Sequence, residues 1–368
     1  MGKGTGSLDS DFEKMLQRAL DGEELTIEDG ERLLTSEGAE IEALVRAADE
    51  VRRRRVGDVV TYIVNRNLNF TNICVGSCKF CAFHRSPGDR GAYTLTPEQV
   101  SEKVREAVEF GATEICMQGG LHPDFRLSDY LNILKAVRGV SRSIHIHAFS
   151  PAELNHMADR EGLSLEEGIR QLRDAGLNSV PGTAAEMLVD RVRSIICPDK
   201  LSRGKWVETI KICHKIGLPT TATMLYGTVE TSRERAEHLG TIRDIQRETR
   251  GFTEFVPLAF MSKNTELQRM GVISDRSEVD DLRVHATARL MLAGYVDNIQ
   301  ASWVKLGTSS AQSMLRAGAN DISGTLMEES ITRAAGGKMS KMIPKGLESL
   351  IRGVGRIPRR RETTYKLL

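Results

Sequence analysis

Three cysteines lie close together in the sequence: Cys74, Cys78 and Cys81 fall within eight residues of a glycine-containing segment, 72–85. Thiolates at this spacing can converge on one inorganic centre, because each sulfur must come within about 2.3 Å of its metal. Two centres are compatible with the spacing. Zinc would need a fourth ligand, which His84 could supply, whereas a 4Fe-4S cluster on three cysteines would leave one iron open to a substrate or cosubstrate.

Polar and apolar residues alternate in several short segments that have the composition of strands. In Ser143–His147 the isoleucines point to one side, and the two histidines point to the other. These histidines could be hydrogen-bonded partners inside the fold or substrate contacts, and both interpretations remain open. Similar polar faces recur along the chain, so the candidate substrate residues are Asn65, Asn67, His84, His145, His147, Gln300 and Ser302.

From Gly57 onward, the strands and helices that must position these residues are predicted to alternate regularly. Short β-branched or apolar runs alternate with amphipathic helical segments, giving roughly eight βα units over about 270 residues. A doubly wound sheet usually has fewer strands, so we predict an α/β fold of the TIM-type (β/α)8 barrel class. The strand candidates are Val59–Asn65, Glu114–Gln118, Ser143–Phe149, Ser179–Val180, Thr220–Tyr226, Phe252–Leu258, Ile299–Leu306 and Asn320–Thr325.

The chain is predicted to have three parts. Residues 1–55 read helix, break, helix, with Phe12, Met15 and Leu16 on one face, and form an N-terminal helical extension. Residues 56–330 form the barrel core. Residues 331–368 form a C-terminal helical and basic tail packed on the barrel, whose arginines between Arg356 and Arg361 are expected to be solvated.

The composition excludes several classes of function. With 51 Lys and Arg against 50 Asp and Glu, the 368-residue chain has a net charge of +1, which predicts binding to neither nucleic acid nor an anionic membrane. No apolar run approaches the ~18–20 residues of a membrane span, and the N-terminus has no hydrophobic signal core, so we expect a cytoplasmic protein. In that reducing compartment, Cys116, Cys197 and Cys213 are expected to be buried or inert thiols.

The cysteine motif lies after the first predicted strand and has the aromatic Phe80 directly before its last cysteine. In both respects it resembles the signature of the radical S-adenosylmethionine (SAM) superfamily. The resemblance implies one 4Fe-4S cluster on the three cysteines and SAM as the cosubstrate at the open iron. It extends to the ends of later strands. The implied SAM contacts are Phe80 in the cysteine motif and, at the later strands, Gln118, Gly119, Gly120, Glu186, Thr223, Tyr226 and Glu230.

Four further segments narrow the resemblance to the tyrosine-using enzymes of deazaflavin biosynthesis, one half of FO synthase. They are Pro181–Glu186, Phe255–Leu258, Gln300–Gly307 and Gly324–Ile331. The implied activity joins the 4-hydroxybenzyl group of L-tyrosine to 5-amino-6-(D-ribitylamino)uracil and releases 2-iminoacetate. Since the sequence contains one such cysteine motif, the resemblance also implies a companion radical SAM subunit for the cyclising step, together with an electron donor.

Two other functions stay open at this point. A radical SAM enzyme of the futalosine pathway of menaquinone biosynthesis would act on a purine nucleoside. A zinc-stabilised binding protein would instead use the three cysteines and His84 as ligands. Iron and sulfide analysis separates the zinc protein from the radical enzymes, and substrate-dependent formation of 5′-deoxyadenosine separates the two enzymes.

Overall fold

Parallel strands that follow one another along the chain form the centre of the molecule. The computed structural model describes residues 8–274, 276–338 and 341–368. The strands are β1 (Val59–Ile63), β2 (Asn65–Leu68), β3 (Glu114–Met117), β4 (His145–Ala148), β5 (Thr220–Tyr226), β6 (Phe252–Ala259), β7 (Asp321–Gly324) and β8 (Ile357–Arg360).

These strands close into a ring. The first barrel strand consists of β1 and β2; β2 pairs with β3, and β3 with β4, all in parallel. Bridges at Ser179 and Val180 connect β4 to β5, which pairs with β6. Bridges at Ile299 and Gln300 connect β6 to β7, and β7 pairs with β1. The prediction of a TIM-type (β/α)8 barrel is confirmed, with two of the strands reduced to bridges.

Local sequence signals begin the helices of the outer layer. Capping boxes form at Thr96, Ser150, Ser164 and Thr231, where the N-cap side chain and the residue three positions later satisfy backbone N–H groups reciprocally. The helices are α1 (Ser10–Leu20), α2 (Ile27–Leu34), α3 (Ala39–Val56), α4 (Pro97–Glu109), α5 (Leu127–Val140), α6 (Pro151–Glu161), α7 (Leu165–Asp174), α8 (Asp190–Ile196), α9 (Arg203–Lys215), α10 (Ser232–Thr249), α11 (Glu266–Arg269), α12 (Glu278–Leu292), α13 (Trp303–Leu306), α14 (Thr308–Met314), α15 (Ser330–Ala334) and α16 (Pro344–Gly353).

The first three helices pack on the outside of the barrel. α3 lies against α12, and α2 against α10. Phe12 and Leu44 are buried in the same apolar cluster as Leu239 and Val284 of those barrel helices. This is the predicted N-terminal helical extension, although it contains three helices where the sequence predicts two. The predicted domain boundaries at residues 55 and 330 stay predictions. Within the described ranges, no helix combines the length and the apolar character needed to cross a bilayer.

One predicted strand is wrong over most of its length. The sequence predicts a strand at Ile299–Leu306, whereas only residues 299 and 300 form bridges and Trp303–Leu306 is helix α13. The side chain of Trp303 is buried, and its indole N–H donates to the carbonyl oxygen of Gly324 at 2.9 Å. This contact fixes the short helix over the end of β7.

The C-terminal tail contains a strand that the sequence analysis did not predict. β8 pairs in parallel with β1, at the end of the barrel opposite the cysteine loop. The chain then enters the lumen, where Arg361 is 2% exposed and its Nε lies 2.6 Å from Oδ2 of Asp321. The expectation that the basic run is solvated is therefore wrong for Arg361, because buried carboxylates compensate its charge. It is also wrong for Arg356, whose mostly buried side chain pairs with Asp49 and Asp58.

Candidate functional site

A cavity of about 400 Å³ occupies the lumen between the cysteine loop and the C-terminal tail. Its upper part is formed by the carboxyl ends of the strands and the loops that follow them, where barrels of this type carry their active sites. Most of the predicted site residues line this cavity together. They are Cys74, Cys78, Cys81, Phe80, His84, Gln118, Gly119, Gly120, Glu186, Thr223, Asn65, Asn67, His147, Gln300 and Ser302.

Hydrogen bonds to neighbouring loops hold the cysteine loop. Sγ of Cys74 accepts the backbone N–H groups of Gly76 and Leu121, both at 3.3 Å. The backbone N–H of Cys74 donates to the carbonyl of Arg85 at 3.0 Å. Hydrogen bonds to cysteine sulfurs are one of the means by which proteins tune iron–sulfur clusters, so this environment suits a thiolate ligand.

The three cysteines provide the thiolate set of an iron–sulfur cluster. Among the residues that the structure describes, no three His, Cys, Asp or Glu side chains are arranged to hold one metal ion. Nδ1 of His84, the proposed fourth zinc ligand, instead lies 3.2 Å from the carbonyl oxygen of Cys81. In a cubane each thiolate binds a different iron, so the three sulfurs do not have to meet at one point.

The surroundings shift the pKa values of two cysteines in opposite directions. Burial raises the pKa of the Cys78 thiol to about 12. Burial also opposes ionisation of Cys81, but hydrogen bonds from the side chain and backbone of His84 and from the backbone of Phe83 outweigh it and lower its pKa. Metal binding must therefore displace a tightly held proton from Cys78, because only the thiolate is a ligand.

Close packing against the cysteine loop explains why residues 119 and 120 are glycines. A Cβ on Gly119 would lie 2.5 Å from the ring of Phe70, and one on Gly120 would lie 2.2 Å from the carbonyl oxygen of Ile73. The N–H of Gly119 donates to Glu153 at 2.9 Å, and that of Gly120 donates to a backbone carbonyl. Because these N–H groups are bonded within the protein, the carbonyl oxygens are the groups with which the pair can meet a ligand.

Glu186 forms an ion pair with Lys200 at the upper end of the cavity. Nζ of Lys200 lies 2.6 Å from Oε1 of Glu186, and both side chains are mostly buried. The same ammonium lies 5.4 Å from the ring centre of Phe80, so the pair links the cysteine loop to the segment after the bridges at residues 179–180. Sequence reasoning missed Lys200 because it lies 14 positions from Glu186 and outside the quoted motifs.

Tyr226 and Glu230 do not line the cavity. Residues 221, 223 and 225 of β5 face the lumen, so Tyr226 points outward, where its hydroxyl donates to Oδ1 of Asp281 at 2.6 Å. Glu230 accepts the backbone N–H groups of Gly227 and Thr228 and pairs with Arg235. Both side chains stabilise the turn after β5 and its packing on the outer helices.

The two histidines of β4 share one partner. Nε2 of His145 and Nδ1 of His147 each lie 2.7 Å from Oγ of Ser179. His147 lines the cavity, whereas His145 does not. Burial lowers the pKa of His147 to about 4, so its imidazole is neutral at pH 7. The hydrogen-bonded interpretation holds for both residues, and His147 alone is also open to a substrate.

Two buried carboxylates accompany the predicted polar residues of the lumen. Asn65 donates to Glu114 at 2.9 Å, and Gln300 donates to Glu254 at 2.9 Å. Neither glutamate was a candidate, although the alternation of β3 and β6 contains the signal that places them inward. Cys116 lies on the same face of β3 and also lines the cavity, and burial raises the pKa of its thiol well above the ordinary value.

Three charged residues at the upper end were also missed. Glu153 accepts the N–H of Gly119. Lys305 lines the cavity from the segment after the seventh barrel strand, the bridges at residues 299–300, and Glu329 lines it from the loop after the eighth, β7. Burial lowers the pKa of Lys305, and the nearby Glu329 opposes this shift. Both residues lie within segments that carry the family resemblance, but their meeting at one cavity depends on closure of the ring.

Comparisons with known proteins agree with the cysteine loop and the barrel. Residues 68–242 match the model of the radical SAM superfamily, and residues 249–368 match the CofH/MqnC C-terminal region. The 5-amino-6-(D-ribitylamino)uracil--L-tyrosine 4-hydroxyphenyl transferase of Archaeoglobus fulgidus is 52% identical over 88% of this chain and 93% of its own. Its counterpart in Methanococcoides burtonii is 49% identical over 96% and 98%. The chain belongs to this 4-hydroxyphenyl transferase family.

Membership of the transferase family makes the chain a radical SAM enzyme, and the superfamily implies a 4Fe-4S cluster and SAM. Two solved structures share its fold. Methylornithine synthase superposes with a TM-score of 0.72 at 19% identity, covering 94% of this chain and 97% of its own. The FeFe-hydrogenase maturase HydG of Carboxydothermus hydrogenoformans superposes with a TM-score of 0.72 at 15% identity, covering 96% and 80%. At these identities the two structures support the barrel fold alone.

Proposed function

We propose that this chain joins the 4-hydroxybenzyl group of L-tyrosine to 5-amino-6-(D-ribitylamino)uracil and releases 2-iminoacetate, a step of deazaflavin biosynthesis. The observation that carries the proposal is about 50% identity, along nearly the whole chain, to transferases that bear this name. The polar lumen supports it, because a zwitterion, a phenol, a pyrimidine and a ribityl chain together need many hydrogen-bond partners.

Cys74, Cys78 and Cys81 would hold one 4Fe-4S cluster. The count of one follows from the single three-cysteine motif in the sequence. The reduced cluster, when bound, supplies the electron that cleaves SAM into methionine and a 5′-deoxyadenosyl radical. The chain orients the ligand loop for this chemistry through the N–H groups of Gly76 and Leu121, which donate to Sγ of Cys74.

Residues around the upper cavity would bind SAM. The carboxylate of Glu186 stabilises a sulfonium by its charge, and Lys200 fixes its orientation. Gly119 and Gly120 let this segment approach the cysteine loop, so their carbonyls can meet a ligand bound beside it. Thr223 lines the same wall, where its hydroxyl donates to the carbonyl of Gly182 at 2.9 Å.

The rest of the lumen would receive the two substrates and keep water away. Asn67, His147, Gln300 and Ser302 line the cavity and offer amide, imidazole and hydroxyl groups. The C-terminal tail closes the floor, so a reactive fragment formed inside is shielded from solvent. This shielding favours transfer to the second substrate over reaction with water.

The proposal includes two further proteins. A companion radical SAM subunit would carry out the cyclising step, because one cysteine motif provides for one cluster only. An electron donor would reduce the cluster, and both proteins would meet this chain in the cytoplasm.

An anaerobic turnover assay tests the proposal. Reconstituted protein is mixed with dithionite, SAM, L-tyrosine and the ribitylaminouracil, and products are identified by mass spectrometry. We expect 5′-deoxyadenosine, 2-iminoacetate or its hydrolysis product, and a coupled adduct, each only when both substrates are present. Addition of the companion subunit should convert the adduct to a fluorescent deazaflavin.

The controls separate the alternative functions. Cys78→Ala should give neither 5′-deoxyadenosine nor adduct. Turnover of a futalosine-type nucleoside, with no tyrosine consumed, would contradict the proposal and place the chain among the enzymes of menaquinone biosynthesis. Stoichiometric zinc without iron after anaerobic purification would contradict the radical chemistry itself.

A further inference from the structure

Two charged side chains that line the cavity have no role in the proposed function. Lys305 belongs to α13, directly after the seventh barrel strand, and Glu329 precedes α15, after the eighth. Both line the upper part of the cavity together with Cys81. They lie in two of the four segments by which the chain resembles tyrosine-using enzymes.

Lys305 differs from the other cationic side chains of the cavity wall in its lack of an ion pair among the described residues. Of the lysines and arginines that line the cavity, Lys200 pairs with Glu186, and Arg361 pairs with Asp321. Lys305 has no ion pair within the described ranges 8–274, 276–338 and 341–368. Glu329 compensates the charge of this partly buried ammonium without a direct ion pair, so an anionic group of a ligand would stabilise Lys305 further.

The backbone around both residues is held firmly. The indole N–H of Trp303 donates to Gly324, which connects α13 to the end of β7. In the loop after β7, Leu326 and Met327 have φ angles of 58° and 51°, a conformation that is unfavourable for residues other than glycine. Backbone strain of this type persists where the surrounding structure enforces it, frequently at ligand sites.

Glu329 is oriented by its own helix, and its second oxygen has no hydrogen-bond partner in the part of the chain that the structure describes. Its Oε2 accepts the backbone N–H of Thr332 at 2.6 Å as the N-cap of α15. The residue is 7% exposed and lines the cavity. Its second oxygen can therefore accept a hydrogen bond from a donor inside the cavity.

We propose that Lys305 and Glu329 bind the two charged groups of the amino-acid substrate, Lys305 the carboxylate and Glu329 the ammonium. The assignment rests on the proposed function. Of the two proposed substrates, only L-tyrosine carries formal charges of both signs, since the uracil and its ribityl chain are neutral hydrogen-bonding groups. SAM carries the same two groups, so the experiment has to distinguish tyrosine from the cosubstrate.

Substrate truncation combined with substitution tests the proposal. Lys305→Met removes the charge at similar volume, and Glu329→Gln keeps an acceptor for the helix cap. Binding of L-tyrosine, of tyramine without the carboxylate and of 3-(4-hydroxyphenyl)propanoate without the ammonium is measured by calorimetry on the reconstituted enzyme with SAM. We expect Lys305→Met to weaken tyrosine binding about tenfold or more while leaving tyramine within twofold.

The complementary pattern is expected for the second residue. Glu329→Gln should weaken binding of tyrosine and tyramine and spare the propanoate. Lys305→Arg should retain part of the tyrosine affinity, because it keeps a cation in place. Lys211→Met, which removes an ion pair with Glu248 on the outside of the barrel, serves as the control and should change neither affinity. Iron content and the melting temperature establish that each variant is folded.

Several outcomes overturn the proposal. Unchanged tyrosine affinity in Lys305→Met excludes the carboxylate contact, and an equal loss for tyrosine and tyramine excludes its chemical basis. A loss of SAM affinity with tyrosine affinity unchanged would assign both residues to the cosubstrate. If the wild-type enzyme consumes tyrosine and the variants behave like it, this inference alone fails; if the wild type neither binds nor consumes tyrosine, the proposed function fails as well.

Discussion

The two ends of the barrel lumen treat charged side chains differently. At the floor, Nε of Arg361 lies 2.6 Å from Asp321, and its Nη2 lies 3.4 Å from Glu254. At the upper end, Lys200 pairs with Glu186, but Lys305 lines the cavity without an ion pair among the described residues. Because a buried charge needs compensation, paired groups can serve the fold, whereas a charge left without a partner is suited to a ligand. The lumen is thus a structural plug below and a binding site above.

The residues at the two ends of the lumen also come from different parts of the chain. Loops that directly follow barrel strands build the upper end, including the cysteine loop after β2 and the segment around Glu329 after β7. The floor is closed by the tail after β8. β8 pairs with β1, from which it is separated by about 300 positions in the sequence. Loop substitutions should therefore change ligand binding first, and tail substitutions should change stability first.

The largest expected effect is at the upper end. Replacing Cys74, Cys78 or Cys81 by Ala removes one of three ligands, so the protein should lose its bound iron, its sulfide and all SAM cleavage. The fold should persist, because these cysteines are only partly buried. Iron and sulfide analysis after anaerobic reconstitution, with circular dichroism for the fold, measures both effects.

A buried cysteine outside the motif provides the control. Cys213→Ala, in α9, should keep full iron content and cost about 1 kcal/mol of unfolding free energy. Full iron content in the triple Cys-to-Ala variant of the loop would refute the assignment of the cluster to these residues.

The floor should respond in the opposite manner. Arg361→Met leaves Asp321 and Glu254 buried without their cation, which should cost about 3–5 kcal/mol of unfolding free energy. Iron content should stay normal at low temperature, because the substitution is remote from the cysteine loop. Urea-induced unfolding measures the stability. A loss below about 1 kcal/mol would mean that the tail does not seal the lumen through this ion pair.

Local patterns predicted much of the upper end but little of the floor. The three cysteines and the alternating polar strands can be read from neighbouring residues. The inward direction of Thr223 and the outward direction of Tyr226 also follow from alternation, yet the motif resemblance assigned both to SAM. β8 has four residues and includes Pro358, a composition that does not indicate a strand, and its pairing with β1 is a long-range event. Lys305 and Glu329 meet only because the ring closes.

Glu153 is a carboxylate of the upper end that has no direct cationic partner among the described residues. Glu153 accepts hydrogen bonds from Ser150 and from the N–H of Gly119, and burial raises its pKa to about 7. Because this pKa is above the unfolded value near 4.5, protonation of Glu153 stabilises the folded state. This contribution to the unfolding free energy is complete below pH 4.5 and is lost as the pH rises through 7. The total is about 3 kcal/mol. In Glu153→Gln this part of the pH dependence between pH 5 and pH 8 should disappear.

The chain offers a matched control for this experiment. Glu167 forms the same capping box with Ser164, but it is exposed, and hydrogen bonds from Ser164 lower its pKa. Glu167→Gln should leave the pH dependence between pH 5 and pH 8 unchanged, because this carboxylate is ionised throughout that range. Urea unfolding at several pH values compares the three proteins. Equal slopes for wild type and Glu153→Gln would contradict the raised pKa. Both boxes have the same sequence pattern, so only the surroundings distinguish them.

The smallest change in unfolding free energy is expected at Arg359, close in sequence to Arg361. Arg359 is exposed on β8, two positions before Arg361, and its guanidinium bonds only to the neighbouring carbonyl of Pro358 among the described contacts. Arg359→Met should change the unfolding free energy by less than about 0.5 kcal/mol, because surface charges away from specific partners contribute little. A loss similar to that of Arg361→Met would mean that net positive charge in the tail, and not the buried ion pair, holds the floor. The expectation of a solvated basic run applies to Arg359, and the same run two residues later supplies the buried cation.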